Sequence, residues 1–145
     1  MDSTAVQNCY LFKGASVKDA EAIAQLAQRH EALAGEDIFL SGQEADGFFI
    51  IQSGTVQVFM RGKDLPIATM SSKQSFGELP FFHHATRDTT ARASELSHLM
   101  RIPFAALQKL LDARPQLALL VYRNASARYA YMLTQLAAEF DRPYI

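Results

Sequence analysis

Apolar residues recur along the chain with three different rhythms. In residues 10–34, Val17, Ala20, Ile23, Ala24 and Ala27 stand three and four positions apart, the spacing of one helical face. Ser16 followed by Asp19 resembles a capping box with the shorter acid. The segment is predicted to be helical, an amphipathic lid over a core. From 35 to 102 the rhythm shortens to runs of four or five β-branched and aromatic residues, at 37–40, 48–52, 55–59, 67–70 and 98–102. Six of the seven glycines fall between residues 35 and 77, with Gly42, Gly47, Gly54 and Gly62 read as turns and Ser53-Gly54 as a short hairpin. Many short strands with regular turns predict an antiparallel roll, barrel or sandwich.

Helical spacing returns in residues 103–140. Phe104, Leu107, Leu110 and Leu111 form one short amphipathic element, and Pro115 suits the first turn of the next. No Gly or Pro interrupts the stretch from there to Phe140. That predicts a helix of about 25 residues, roughly 37 Å long. Two apolar stripes run along it: Val121, Ala125, Met132 and Leu136, and Leu117, Leu120, Ala127 and Tyr131 with Asn124 among them. One stripe can lie on the roll. The other calls for a partner, most simply a second copy of the chain. Residues 1–145 thus read as one domain, with an N-terminal helical segment (10–34), a roll (35–102) and C-terminal helices (103–140).

Composition narrows the function. The 145 residues carry 14 Lys+Arg and 15 Asp+Glu, a formal net charge of −1, so no broad polyanion-binding surface is expected. The balance is uneven: 5 basic and 9 acidic residues in 1–72, 9 basic and 6 acidic in 73–145. An anion site belongs in the second half, as a local arrangement. A hydrophobic content of 49% with ten Phe supports a packed core. The single cysteine, Cys9, excludes an internal disulfide and a CxxC zinc site. No apolar run nears 18 residues and no signal-peptide pattern opens the chain, so a cytoplasmic protein without a membrane span is expected.

The spaced Gly35, Gly42 and Gly47, the Asp46 ahead of the aromatic pair Phe48-Phe49, and the Ser53-Gly54 pair resemble the first strands of the cyclic nucleotide-binding domain family. That family includes the catabolite activator protein, regulatory subunits of cyclic-AMP-dependent kinase and certain gated ion channels. The resemblance covers nearly the whole chain. It implies an eight-stranded antiparallel β-roll, jelly-roll-like, flanked by an N-terminal helix and a long C-terminal helix.

It also implies a ligand site. The counterpart of the family's phosphate-binding cassette is residues 76–91. A cyclic phosphate wants a guanidinium and backbone N–H donors, and a ribose 2′-hydroxyl can be fixed by a carboxylate. By the resemblance, Glu78 takes the hydroxyl and Arg87 the phosphate. Gly77 allows close backbone approach, while Leu79, the residues beside Pro80, and the N–H groups following Arg87 complete the cradle. Thr89 and Thr90 offer hydroxyls, and Arg128 matches an arginine of bacterial relatives beside the base. Three departures stand out: Asp88 where relatives carry a small residue, His84 in place of a glycine, and Lys73-Gln74 in place of Gly-Asp. Met132 and Leu133 are apolar where the catabolite activator protein offers hydroxyls to adenine, and Thr134 is one step off, so cyclic AMP and cyclic GMP both stay open.

Other chemistry is thin. His83 and His84 with Glu78 and His98 could suggest a metal on a roll, but adjacent histidines do not project to one side of a strand. Cys9 with His30 has no cysteine cluster, and a lone Cys in an N-terminal tail reads as inert or surface-exposed. No catalytic motif is present, so no catalytic residue, metal or cofactor is expected. A chain ending straight after its long helix, with no basic excess and no recognition helix, should not bind nucleic acid by itself. The expectation is a regulatory module that senses cyclic AMP or cyclic GMP, forms a homodimer through the last helix and signals to a separate, unknown protein. The alternative is a degenerate roll in which Asp88 neutralises Arg87, acting as a dimeric interaction scaffold. An enzyme or metal protein ranks third.

Overall fold

Four consecutive apolar residues, Phe48, Phe49, Ile50 and Ile51, organise the molecule, because a strand that is apolar on both sides must be covered on both. In the computed structural model, which describes residues 3–83 and 85–139, they lie in β3 (Gly47–Ser53). Phe48 and Ile50 face a cluster shared with the helices; Phe49 and Ile51 face a second cluster between two sheets. The strand beside it, β8 (Ser97–Pro103), alternates to match, with Met100 and Ile102 on the helix side and Leu99 between the sheets. Both sheets are antiparallel and four-stranded. One has the order β1 (Gln28–Ala32), β8, β3, β6 (Ser75–Phe76); the other β2 (Asp37–Phe39), β7 (Thr89–Ala93), β4 (Val56–Met60), β5 (Pro66–Met70). Among the described residues five helices complete the fold: α1 (Ser3–Asn8), α2 (Val17–Leu26), α3 (Leu79–His83), α4 (Phe104–Ala113) and α5 (Pro115–Glu139). It is an antiparallel β-roll with flanking helices, as expected.

Several local readings are corrected. The helix expected over 10–34 is instead a 3-10 turn (Tyr10–Phe12), α2 and β1. Ser16 does cap α2, its hydroxyl accepting from the Asp19 N–H at 3.1 Å, but Asp19 returns no bond and pairs with Arg114 at 2.6 Å. Gln28–Ala32 is made of residues comfortable in a helix, yet the ladder with β8, from Gln28 opposite Arg101 to Ala32 opposite Ser97, overrides that preference.

Ser53-Gly54 is not a hairpin: β3 and β4 belong to different sheets, and the pair is the corner between them. Gly54 sits at φ +100°, and a Cβ there would lie 2.6 Å from the Ser97 Cα, so no other residue fits the corner. Gly47 is a strand residue rather than a turn. Finally, the seam buried by α5 is Leu117, Val121 and Ala125, which crosses the two predicted stripes. Phe140 lies outside the described residues.

Cys9 is not a surface residue. It is fully buried between α1 and the 3-10 turn. Burial pushes its thiol up to about 11. No helix among the described residues is long and apolar enough to cross a membrane.

The thiol makes stability depend on alkaline pH. The folded chain keeps the Cys9 proton more tightly than the unfolded chain does. Its contribution is therefore complete below about pH 8.5 and falls as pH rises toward the folded value, by up to about 1.4 kcal/mol per pH unit. Urea midpoints measured at pH 8, 9 and 10 are expected to drop more steeply for the native chain than for Cys9→Ala. Parallel profiles would exclude the thiol as the source.

Candidate functional site

Arg87 is a cation placed where few cations are found, 5% exposed between the two sheets. Its backbone is held from both directions: the Gly42 N–H donates to its carbonyl at 2.7 Å, and its own N–H donates to the Gln43 carbonyl at 2.8 Å. Nη1 donates to the Gly77 carbonyl at 2.6 Å and Nη2 to the Gly47 carbonyl at 2.5 Å. The guanidinium lies 3.9 Å from the centre of the Phe39 ring. A guanidinium has five N–H groups, and these bonds use two. Nε is buried and has no partner among the described residues. Burial draws the arginine down to about 10, which still leaves it charged at neutral pH. Gly77, at φ +83°, makes the arrangement possible: a Cβ there would stand 2.9 Å from Arg87 Nη1 and 3.0 Å from the Phe39 ring.

Beside it Glu78 collects hydroxyls. The Tyr10 hydroxyl donates to Glu78 Oε2 at 2.8 Å, and Ser75 Oγ donates to the same oxygen at 3.4 Å. The Arg128 guanidinium lies 4.6 Å from the centre of the Tyr10 ring. Tyr129, next on α5, completes the group. Burial, reinforced by the Glu78 charge, pushes its phenol up to about 12. The same two causes raise Tyr10 well above the usual phenol range. Both phenols are therefore neutral hydrogen-bonding groups.

These residues line one cavity of about 300 Å³. Gly77, Glu78, Leu79, Arg87, Asp88, Thr89 and Arg128 all border it, so of the residues singled out from the sequence the structure gathers these seven. Its apolar wall is Val58, Ile67, Ala68 and Met70 from β4 and β5, with Met132 from α5. Asp88 makes no ion pair with Arg87 among the described residues, so the neutralised guanidinium expected of a degenerate roll is not what forms. Thr90 is a correction. Adjacent strand residues point to opposite faces, and its hydroxyl accepts from the Ser41 N–H at 3.0 Å while Thr89 faces the cavity.

Thr134 donates to the Ala130 carbonyl at 2.9 Å, within its own helix. Lys73 occupies the left-handed region at φ +78°, a conformation that glycine takes without strain. His84 lies outside the described residues. His98 faces Glu31 across the β1–β8 pair, at 3.8 Å, and no cluster of three His, Cys, Asp or Glu able to hold a metal occurs among the described residues.

Sequence reasoning missed Tyr10 and Tyr129. Tyr10 is 68 residues from Glu78, and nothing in the spacing of either announces the other. Tyr129 was within reach, since it continues the Leu117, Val121, Ala125 series by one more helical step.

The family model described as the cyclic nucleotide-binding domain matches residues 29–114. Over 122 residues the chain is 25% identical to the potassium channel AKT2 of Oryza sativa subsp. japonica, a match covering 82% of this chain and 14% of the channel. Over 89 residues it is 29% identical to a cAMP-dependent protein kinase regulatory subunit of Neurospora crassa, covering 61% of this chain and 23% of the subunit. The chain thus spans less than a quarter of either relative. The crystal structure of the Thermus thermophilus catabolite activator protein superposes with a TM-score of 0.78 at 24% identity, over 91% of this chain and 62% of that one.

Because Arg87 satisfies one buried and one part-buried carbonyl, it carries structure as well as charge. Arg87→Ala leaves the Gly77 and Gly47 carbonyls unpaired and opens space beside Phe39, and is expected to cost about 2 kcal/mol or more. Equilibrium urea denaturation reads this directly. An unchanged midpoint would show that the arginine holds nothing in the fold.

Proposed function

Because this chain belongs to the cyclic nucleotide-binding domain family, we propose that its cavity takes a cyclic nucleotide and that the chain acts as a regulatory binding module with no catalysis of its own. The observation that carries this reading is the pairing of a buried, charged Arg87 with the half-buried Glu78 on one cavity wall. Arg87 Nε, left without a partner among the described residues, supplies with an Nη group two parallel donors suited to two phosphate oxygens. Glu78 suits a sugar hydroxyl. The apolar residues of β4 and β5, closed by Met132, suit the flat face of a base.

Asp88 opposes a phosphate, but it is exposed and its field is screened by water. The kinase relative is named for dependence on cAMP, which supports cyclic AMP as the first ligand to try. Cyclic GMP stays open because no side chain on the apolar wall reads a base edge.

Calorimetric titration with cyclic AMP and cyclic GMP is expected to show micromolar binding of at least one. Glu78→Gln, which preserves shape, should weaken it about tenfold or more through loss of a charged hydrogen-bond acceptor. Asp88→Ala should strengthen it modestly, by about fivefold at most, as removal of one screened charge allows. Flat titrations of the native chain with both nucleotides would end this reading.

In this reading signalling runs through α5. Tyr131, Met132, Leu133 and Leu136 are each about half exposed on its second half, an apolar surface suited to a second copy of the chain. Met132 belongs both to that surface and to the cavity wall, so ligand and partner meet on one residue. The module then signals by shifting α5 against a partner protein. Sedimentation at micromolar concentration is expected to give a dimer, and Leu136→Glu a monomer that still binds nucleotide. A native monomer across that range would remove the dimer from the proposal.

A further inference from the structure

The least expected feature of the cavity is that its carboxylate is already in use. Tyr10 and Ser75 both donate to Glu78 Oε2. A carboxylate has about four acceptor sites over its two oxygens, and among the described residues no hydrogen bond reaches Oε1. The two hydroxyls therefore fix the rotamer by one oxygen and leave the other to a ligand.

Tyr10 is well placed to hold it. Its neighbours Cys9, Leu11 and Phe12 are all fully buried, so the turn that carries the ring is anchored in the core. From the other side α5 grips the same turn. Asn124 Nδ2 donates to the Leu11 carbonyl at 2.9 Å and the Lys13 carbonyl at 3.0 Å. Arg128, four residues on and hence on the same face of the helix, covers the Tyr10 ring.

The geometry points to Tyr10 as a positioning residue for the ligand's sugar hydroxyl: it holds Glu78 by Oε2 so that Oε1 faces the nucleotide, and it ties that carboxylate to α5 through Arg128. This rests on the cyclic nucleotide reading and adds to it a residue outside the cassette. In this role Tyr10 acts through Glu78. Its effect must then depend on whether the ligand has a 2′-hydroxyl. An effect on overall folding would not.

The test is a cycle between one protein hydroxyl and one ligand hydroxyl. Native chain and Tyr10→Phe are titrated with cyclic AMP and cyclic GMP and with their 2′-deoxy counterparts, and folding is checked by circular dichroism. Tyr10→Phe is expected to weaken the ribose ligand about five- to tenfold, the scale of one net hydrogen bond. The 2′-deoxy ligand should stay within about twofold, the noise of such a comparison. Asn124→Ala frees the turn without touching the ring. It should lower the ribose-to-deoxy preference in the same direction, and it serves if Tyr10→Phe does not fold.

Equal weakening of both ligands would reduce Tyr10 to a structural residue and overturn the proposal. So would an unchanged or tightened ribose ligand, which would make Tyr10 a competitor. If the native chain binds none of the four, the parent reading falls and this one with it. That result is distinct from binding without a ribose preference, which removes this proposal alone.

Discussion

A buried guanidinium between two sheets is the constraint around which the rest is arranged. A charge in that position is tolerable only if its N–H groups are met. The chain meets two of them with main-chain carbonyls, from Gly47 at the start of β3 and from Gly77 just after β6, and lays the flat face on Phe39 of β2. Those contacts require β3 and β6 on one side and β2 and β7 on the other to be in register around a single side chain. They also require a residue without a Cβ at position 77. The same group is thus a fastening of the fold and the candidate hydrogen-bond donor to a phosphate. Its Nε, with the Nη hydrogens outside those two bonds, is the remaining capacity.

Much of this was legible in the chain because local and global signals agree. The strands at 48–52, 55–59 and 98–102 carry β-branched and aromatic residues that suit a half-buried or buried ladder, and they form where expected. Residues 89–93, of which 89–91 read as the end of a cassette, become β7. Its inward positions are Ala91 and Ala93, too small to give a hydrophobic signal. Residues 28–32 escape for the opposite reason. Their preference is helical, and only pairing with β8 makes them extended. The Ser53-Gly54 corner looked like a hairpin because a turn residue between two strands does not say which sheet the second strand joins.

The site divides in the same way. Gly77, Glu78, Leu79, Arg87, Asp88 and Thr89 are close in sequence, and the family resemblance alone joins them. Thr90 failed by strand parity, a distinction that needs β7 to be known as a strand. Tyr10 and Tyr129 come from the two ends of the chain and meet Glu78 only after the core has closed over Cys9, Leu11 and Phe12. Long-range polar contacts of this kind leave no periodic trace.

The burial of α5 has a mechanical side. Its apolar seam ends at Ala125, while the helix continues to Glu139. The remaining 14 residues make an arm of about 20 Å at 1.5 Å per residue. A tilt of about 5° at the fulcrum displaces the tip of such an arm by about 2 Å, enough to move one side chain out of register with another. Arg128, Tyr129 and Met132 bear on the cavity from the same arm, within two turns of that fulcrum. A displacement too small to disturb the roll would be magnified along the arm, at Leu133 and Leu136.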